Sequence, residues 1–228
     1  MMMRVLSSLL LLSLLTTPTL AIPPDTTSDC QTWADMGECS QNPSYMLVHC
    51  ATSCHQLEQA QSQDLERIDS FFDLTANDLQ GNPVDFAQFR NQVTILTNVA
   101  SYCGYTESHY QGLVELWSQV VATQKVQILA FPCNQFGQQE PGTAHEIEAF
   151  SASKGVQFTM MQKVNVNGAQ AHPVYKYLKQ QAGPNSIAWN FGTYYVVSPD
   201  GEVTSHSGVE PMQLKDVVLE LLGDSAEL

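Results

Sequence analysis

The sequence predicts an α/β sandwich preceded by a small, disulfide-stapled module. Three observations predict it. Two charge-free runs rich in β-branched and apolar residues, Val93 to Ala100 and Val126 to Phe131, read as buried strands. Between them, Leu113, Leu116, Trp117, Val120 and Val121 recur at helical spacing within Ser108 to Ala122. Four of the six cysteines crowd into residues 30–54, while the other two stand apart in the α/β region. At 228 residues the chain is long enough for one well-packed domain plus something small.

The elements follow in order. Arg4 and the apolar stretch from Val5 to Leu15 read as a secretory leader, and Thr19-Leu20-Ala21 places small residues for cleavage after Ala21. A 1–21 leader implies a secreted or lumenal protein in an oxidising compartment, where disulfides persist. No Asn-x-Ser/Thr sequon occurs, and no later segment is long and apolar enough to span a bilayer. A cysteine-rich module is expected over 29–55; four cysteines allow three pairings. Gln, Ser, Glu and Asp dominate the next segment, so 56–69 reads as an exposed helix or linker.

From residue 70 to about 226 the pattern is that of the main domain. Gly81-Asn82-Pro83 marks a hairpin turn, and the first strand, helix and second strand follow. Helices are expected over His145 to Ser153 and Pro173 to Gln181, the latter opening on proline where a helix tolerates it. Trp189 to Val197 reads as a third strand, Gly201 to Thr204 continues a hairpin, and Pro211 to Leu222 makes a closing amphipathic helix. Strand, helix, strand, then hairpin and helix is the order of a thioredoxin-like fold.

Charge narrows the function. Nine Lys and Arg against 23 Asp and Glu give a net charge of −14 and a pI near 4.5. Such a chain has little with which to displace counterions from nucleic acid or to dock on anionic lipid. The histidines are scattered and suggest no metal site. Cys103 is the focal residue, because it falls between the first strand and the following helix. There the helix N-terminus favours a thiolate, the form that attacks an O–O bond and is oxidised to a sulfenic acid.

The residues around it resemble a known family. Asn98-Val-Ala-Ser-Tyr-Cys-Gly-Tyr-Thr106, Phe131-Pro-Cys-Asn-Gln-Phe-Gly-Gln-Gln-Glu-Pro-Gly142 and Trp189-Asn190-Phe191 are similar to the three signatures of glutathione peroxidases. The resemblance implies a thioredoxin-like peroxidase in which Cys103 is peroxidatic and Gln139, Trp189 and Asn190 complete the catalytic group. Neutral N–H donors of that kind stabilise developing negative charge, and the backbone near Gly104 adds a further N–H. The implied substrates are hydrogen peroxide or organic and lipid hydroperoxides. The implied reductant is glutathione or a thioredoxin-like thiol, with no bound cofactor.

The sequence also departs from its relatives. Where many cysteine-type members carry a resolving cysteine, this chain reads Phe150-Ser151-Ala152-Ser153. Reduction then falls to an external thiol or to Cys133, which is expected to be structural. Ala182 to Ala188 is short, as in the monomeric phospholipid-hydroperoxide type, and implies a monomer. Tyr105 stands where that type carries a lysine, which weakens any preference for anionic glutathione. An alternative reading is a peroxide sensor that passes oxidation from Cys103 to partner proteins.

The cysteine-rich segment resembles the ShK toxin-like domain without its first-to-sixth bridge. That resemblance implies the pairs Cys30–Cys50 and Cys39–Cys54. The channel-blocking Lys-Tyr pair of the toxins is here Ser44-Tyr45, so the expected role is a stapled accessory or docking module rather than pore block.

Overall fold

The computed structural model describes residues 21–35, 38–65, 68–168 and 170–224. Apart from Ala21, the expected leader lies outside the described residues. The N-terminal module is four helices, α1 (Cys30–Asp35), α2 (Glu38–Gln41), α3 (Pro43–His49) and α4 (Ala51–Leu65). Its buried core is Ala34 and Met46 wrapped around the sulfurs of Cys30, Cys39, Cys50 and Cys54. So few apolar side chains cannot offset the entropy of ordering the segment, and two disulfides, Cys30–Cys50 and Cys39–Cys54, supply the missing constraint. This is the pairing the ShK resemblance implies. Asp25 reaches back to the first turn of α4, where its carboxylate accepts from the Ser53 amide at 3.2 Å and the Ser53 hydroxyl at 2.5 Å.

Helix α4 runs through the polar stretch after Cys54, so a single helix crosses residue 56. Further along the chain β1 (Thr75–Asn77) pairs antiparallel with β2 (Pro83–Asp85) across the expected Gly81-Asn82 turn. The main sheet contains β3 (Val93–Val99), β4 (Val126–Pro132), β5 (Thr159–Met160), β6 (Thr193–Val197) and β7 (Val203–Ser207), in the order β5-β4-β3-β6-β7. Strands β3, β4 and β5 are parallel, and β6 and β7 are antiparallel additions at the other side of β3. The helices are α5 (Thr106–Val120), α6 (Ala144–Ser153), α7 (Pro173–Ala182) and α8 (Lys215–Asp224).

Burial on both faces explains why the strands read as unbroken apolar runs. Side chains alternate between the faces. Ile95, Val99, Ile128, Ala130 and Tyr194 point into one core with Leu113 and Leu116 of α5 and Val218 of α8. Leu96, Leu129, Phe131 and Tyr195 point into the other, with Phe71, Phe86 and Val174, Tyr175 and Leu178 of α7.

Three boundaries differ from the sequence expectation. Helix α5 begins at Thr106, closer to Cys103 than Ser108, because Thr106 is recruited into the preceding turn. Strand β6 begins at Thr193, so Trp189 to Gly192 is a turn rather than strand. The closing helix opens with a 3-10 turn over Pro211–Leu214.

Candidate active site

Because β3 and β4 are parallel, the loops that follow them leave the same end of the sheet, as do residues after β5. Antiparallel β6 enters the sheet at that end. The three motifs are thus gathered by topology before any side chain is considered, in keeping with the location of sites in α/β sheets.

The Cys103 loop is pinned by Thr106. Its hydroxyl accepts from the Cys103 amide at 3.0 Å and donates to the Ala100 carbonyl at 2.7 Å. Thr106 is buried, so this ring is shielded from water. Cys103 is also buried, in the same apolar cluster as Tyr110 and Phe191. The Gly104 amide donates to no acceptor among the described residues.

A second loop is tied to the first. The Tyr102 amide donates to the Gln139 carbonyl at 3.0 Å, and the Ser101 hydroxyl donates to Glu140 Oε1 at 2.9 Å. Glu140 is fully buried, and its other oxygen has no partner in the structure. Burial raises its carboxyl above the ordinary value, against the lowering effects of Ser101 and Lys163. The Lys163 ammonium instead donates to the Glu140 carbonyl at 3.0 Å and the Gly142 carbonyl at 2.7 Å, closing the end of this loop.

The third loop supplies Trp189 and Asn190. Phe191 adopts φ 61°, and its amide donates to the Asn98 carbonyl at 2.8 Å. A Cβ on Gly192 would lie 3.0 Å from the Trp189 carbonyl oxygen and 3.3 Å from its amide nitrogen, so any larger residue would press on this turn. Asn190 is completely buried at its centre.

Three carboxamides then form a chain with a fixed polarity. Asn98 Nδ2 lies 3.4 Å from the Trp189 carbonyl, which can only accept, and 3.0 Å from Asn190 Oδ1. That orients Asn190 to donate from Nδ2 to Gln139 Oε1, at 3.3 Å. With its oxygen occupied, Gln139 presents Nε2, which has no protein acceptor among the described residues. Trp189 converges on the same place. A Cβ built on Gly137 would lie 3.6 Å from both Gln139 Nε2 and Trp189 Cη2. Gly137 has φ 61°, and Phe136 packs on the Trp189 ring at 5.8 Å.

The structure therefore brings Gln139, Trp189 and Asn190 together and ties the backbone of the Cys103 loop to Gln139. No hydrogen bond joins the Cys103 sulfur to the three donors among the described residues. Asn98 was not expected as a site residue. Its signal was a carboxamide inside an otherwise apolar strand, and buried amides need partners. Glu140 carried no comparable signal. Tyr102, 71% exposed, Tyr105 and Trp189 are exposed aromatic side chains of the Cys103 and Trp189 loops.

Cys133 occupies a different environment. Its amide pairs with the Val99 carbonyl at 2.9 Å, but its side chain is fully buried in the opposite core, with Phe131 and Tyr175. Burial pushes its thiol up to about 11. A thiol held protonated is a poor nucleophile.

A free cysteine after the first strand of a five-stranded thioredoxin-like sheet, on a loop whose backbone is tied to a chain of carboxamides, defines a candidate thiol-dependent oxidoreductase. Comparison with known proteins narrows the class. The glutathione peroxidase family model matches residues 71–179, and the ShK domain-like model matches residues 23–56. A probable phospholipid hydroperoxide glutathione peroxidase from Mesembryanthemum crystallinum is 39% identical over 72% of this chain and 99% of its own length. Human glutathione peroxidase 7 is 41% identical over 69% of this chain and 78% of its own. The apo crystal structure of Trgpx superposes with a TM-score of 0.56 at 32% identity, covering 68% of this chain and 95% of that one. The chain belongs to the glutathione peroxidase family and is a peroxidase, with an ShK-like module at its N-terminal side.

Proposed function

We propose that this peroxidase is a secreted, one-cysteine enzyme that reduces organic hydroperoxides at Cys103 and is regenerated by an external thiol. The observation that carries the reading is the polarised chain from Asn98 through Asn190 to Gln139, which leaves Gln139 Nε2 as an unspent donor beside Trp189. The Cys103 thiolate attacks the terminal peroxide oxygen. An S–O bond forms, the O–O bond breaks, and the departing alkoxide takes a proton to leave as alcohol. The Gln139 and Trp189 N–H groups stabilise the oxygen on which charge develops, without reorganising during the step. Cys103 is left as a sulfenic acid. One thiol displaces its oxygen as water to give a mixed disulfide, and a second thiol releases Cys103 as thiol and leaves as a disulfide.

The exposed aromatic side chains of Tyr102 and Tyr105, on either side of Cys103 in sequence, and of Trp189 suit an apolar hydroperoxide. The seclusion of Cys133 in the other core supports regeneration without a second cysteine of this chain. Disulfides in the small module support an oxidising compartment. No described helix is long and apolar enough to cross a membrane. The short segment before Trp189 supports a monomer.

The test is oxidation of the reduced protein by one equivalent of cumene hydroperoxide, followed by sulfenic-acid labelling and peptide mapping. The label belongs on Cys103. A Cys103–Cys133 disulfide, or label elsewhere, would overturn the one-cysteine mechanism. Sensing is the competing function: oxidation in a single burst without turnover by any small thiol or thioredoxin would favour it.

A further inference from the structure

The ShK-like module has a charge pattern of its own. No Lys or Arg occurs between Val5 and Glu66, whereas Asp25, Asp29, Asp35 and Glu38 all fall within the module. Asp25 is spent on Ser53. Glu38 has no Lys or Arg within its own module with which to pair, and among the described residues no salt bridge reaches its carboxylate.

Glu38 lines a cavity of 340 Å³ together with Trp33, Asn42, Tyr45 and Met46. The walls are built for more than an acid. The Trp33 and Tyr45 rings meet edge to face, 6.1 Å apart and 70° between planes, and so form an aromatic corner. Tyr45 is braced from behind by His49, whose ring lies 4.4 Å away. Met46 closes the floor and is buried. Two π-faces and one carboxylate around a cavity are the chemistry that recognises a cation, the rings through their quadrupoles and the carboxylate through its charge.

The exposed residues that follow Tyr45 on α3 point to what carries that cation. Leu47 and Val48, 60% and 61% exposed, follow Tyr45 on the same short helix and present apolar surface to solvent. A free organic cation would leave that surface uncovered. A polypeptide segment in which Lys or Arg is flanked by apolar residues would cover it. The chain's net charge of −14 attracts such a segment and repels an anionic membrane.

We infer that the ShK-like module is a docking site for a basic side chain of a partner protein, which enters the cavity formed by Trp33, Tyr45 and Glu38. The module is anchored where this matters. Gln170, in the segment after β5, donates to the Ala34 carbonyl at 2.6 Å, next to Trp33 in sequence, and α4 packs on α7. The segment after β5 leaves the sheet at the same end as the Cys103 loop. A docked partner is thus held on a module that is fixed to the peroxidase body. The inference does not depend on the peroxidase mechanism.

The test is an NMR titration of the whole chain with the peptide acetyl-Gly-Leu-Arg-Leu-Gly-amide and its citrulline twin, which differs in charge and little else. The Trp33 indole N–H, assigned by its loss in Trp33→Phe, reports binding. Saturable shifts with the arginine peptide are expected, weakened about fivefold or more by citrulline, by Glu38→Gln and by the surface substitution Tyr45→Ala. Peroxide turnover of Glu38→Gln is unchanged. Phosphatidylcholine vesicles, the other ready source of an exposed cation, leave the resonance in place. The inference fails if the two peptides bind equally, if Glu38→Gln and Tyr45→Ala bind like the parent, if millimolar peptide moves nothing, or if the vesicles compete for the cavity.

Discussion

The two parts of this molecule use the same residue type in opposite ways. In the N-terminal module all four cysteines are joined, and their sulfurs are most of the core. In the peroxidase body both cysteines are free, and the cores are built from aliphatic and aromatic side chains on two faces of a sheet. The difference follows from size. A segment of some thirty residues buries too little surface to fold unaided, so it spends its thiols on constraint. The larger domain does not need them, which leaves Cys103 available for chemistry. Position then separates the two free thiols, since Cys103 lies in the strand-to-helix turn and Cys133 lies in the core behind it.

Removing the staples is expected to have the largest effect. Each bridge closes a loop that contributes about 3 kcal/mol. Replacing all four module cysteines by alanine is therefore expected to collapse the Trp33 indole resonance while peroxide turnover survives. Loss of turnover together with the module would show that the body depends on it for folding.

Acid should strike the body. His172 caps α7, its Nδ1 accepting from the Val174 amide at 3.3 Å, and burial pushes its imidazole down to about 4 from the ordinary 6.5. The unfolded chain binds that proton first. Stability is therefore lost as pH falls from 6.5 toward 4, by about 3 kcal/mol in all. Denaturant titrations across that window should show the loss, and His172→Asn, which can still cap, should reduce it, leaving the contributions of His109 and His206, whose imidazoles burial also lowers.

Within the site, Gln139→Ala should lower kcat/KM about 100-fold, the usual cost of one aimed donor. Asn98→Leu should reproduce part of that loss without touching substrate, because Asn190 and Gln139 would then be free to turn over. Steady-state kinetics with cumene hydroperoxide separate the two. Equal activity of Gln139→Ala and wild type would remove the donor chain from the mechanism.

The smallest effect is expected at Glu140. Its carboxyl is raised by burial, so its contribution has the opposite sign to that of His172: stability is lost as pH rises above the ordinary 4.5. Glu140→Gln should gain stability relative to the parent as the pH is raised from acid to neutral. A gain that does not change with pH would mean the carboxyl is not the cause.

Much of this was legible in the residues. β3 and β4 are covered on both faces, so nearly every position is apolar or a buried threonine, and the sequence shows them without ambiguity. The helical spacing of Leu113, Leu116 and Val120 is equally direct. The two-residue β5 carries too little pattern to be seen, and it exists because it pairs with β4. The turn at Trp189 to Gly192 was read as strand because its aromatic composition suits a sheet. What bends it is the long-range bond from the Phe191 amide to Asn98, which no local pattern encodes. The same holds for the site. Cys103, Gln139, Trp189 and Asn190 are candidates through motif resemblance, and the structure brings the last three together, whereas the part of Asn98 depends on which carbonyl its amide faces.

The proposed independence of Cys103 from Cys133 is tested most directly by the steady-state rate of cumene hydroperoxide reduction. Wild type, Cys103→Ser and Cys133→Ser would be compared with glutathione and with thioredoxin as reductants. The expected result is turnover in wild type and in Cys133→Ser, and none in Cys103→Ser. Turnover that survives Cys103→Ser, or that is lost in a folded Cys133→Ser, would contradict it.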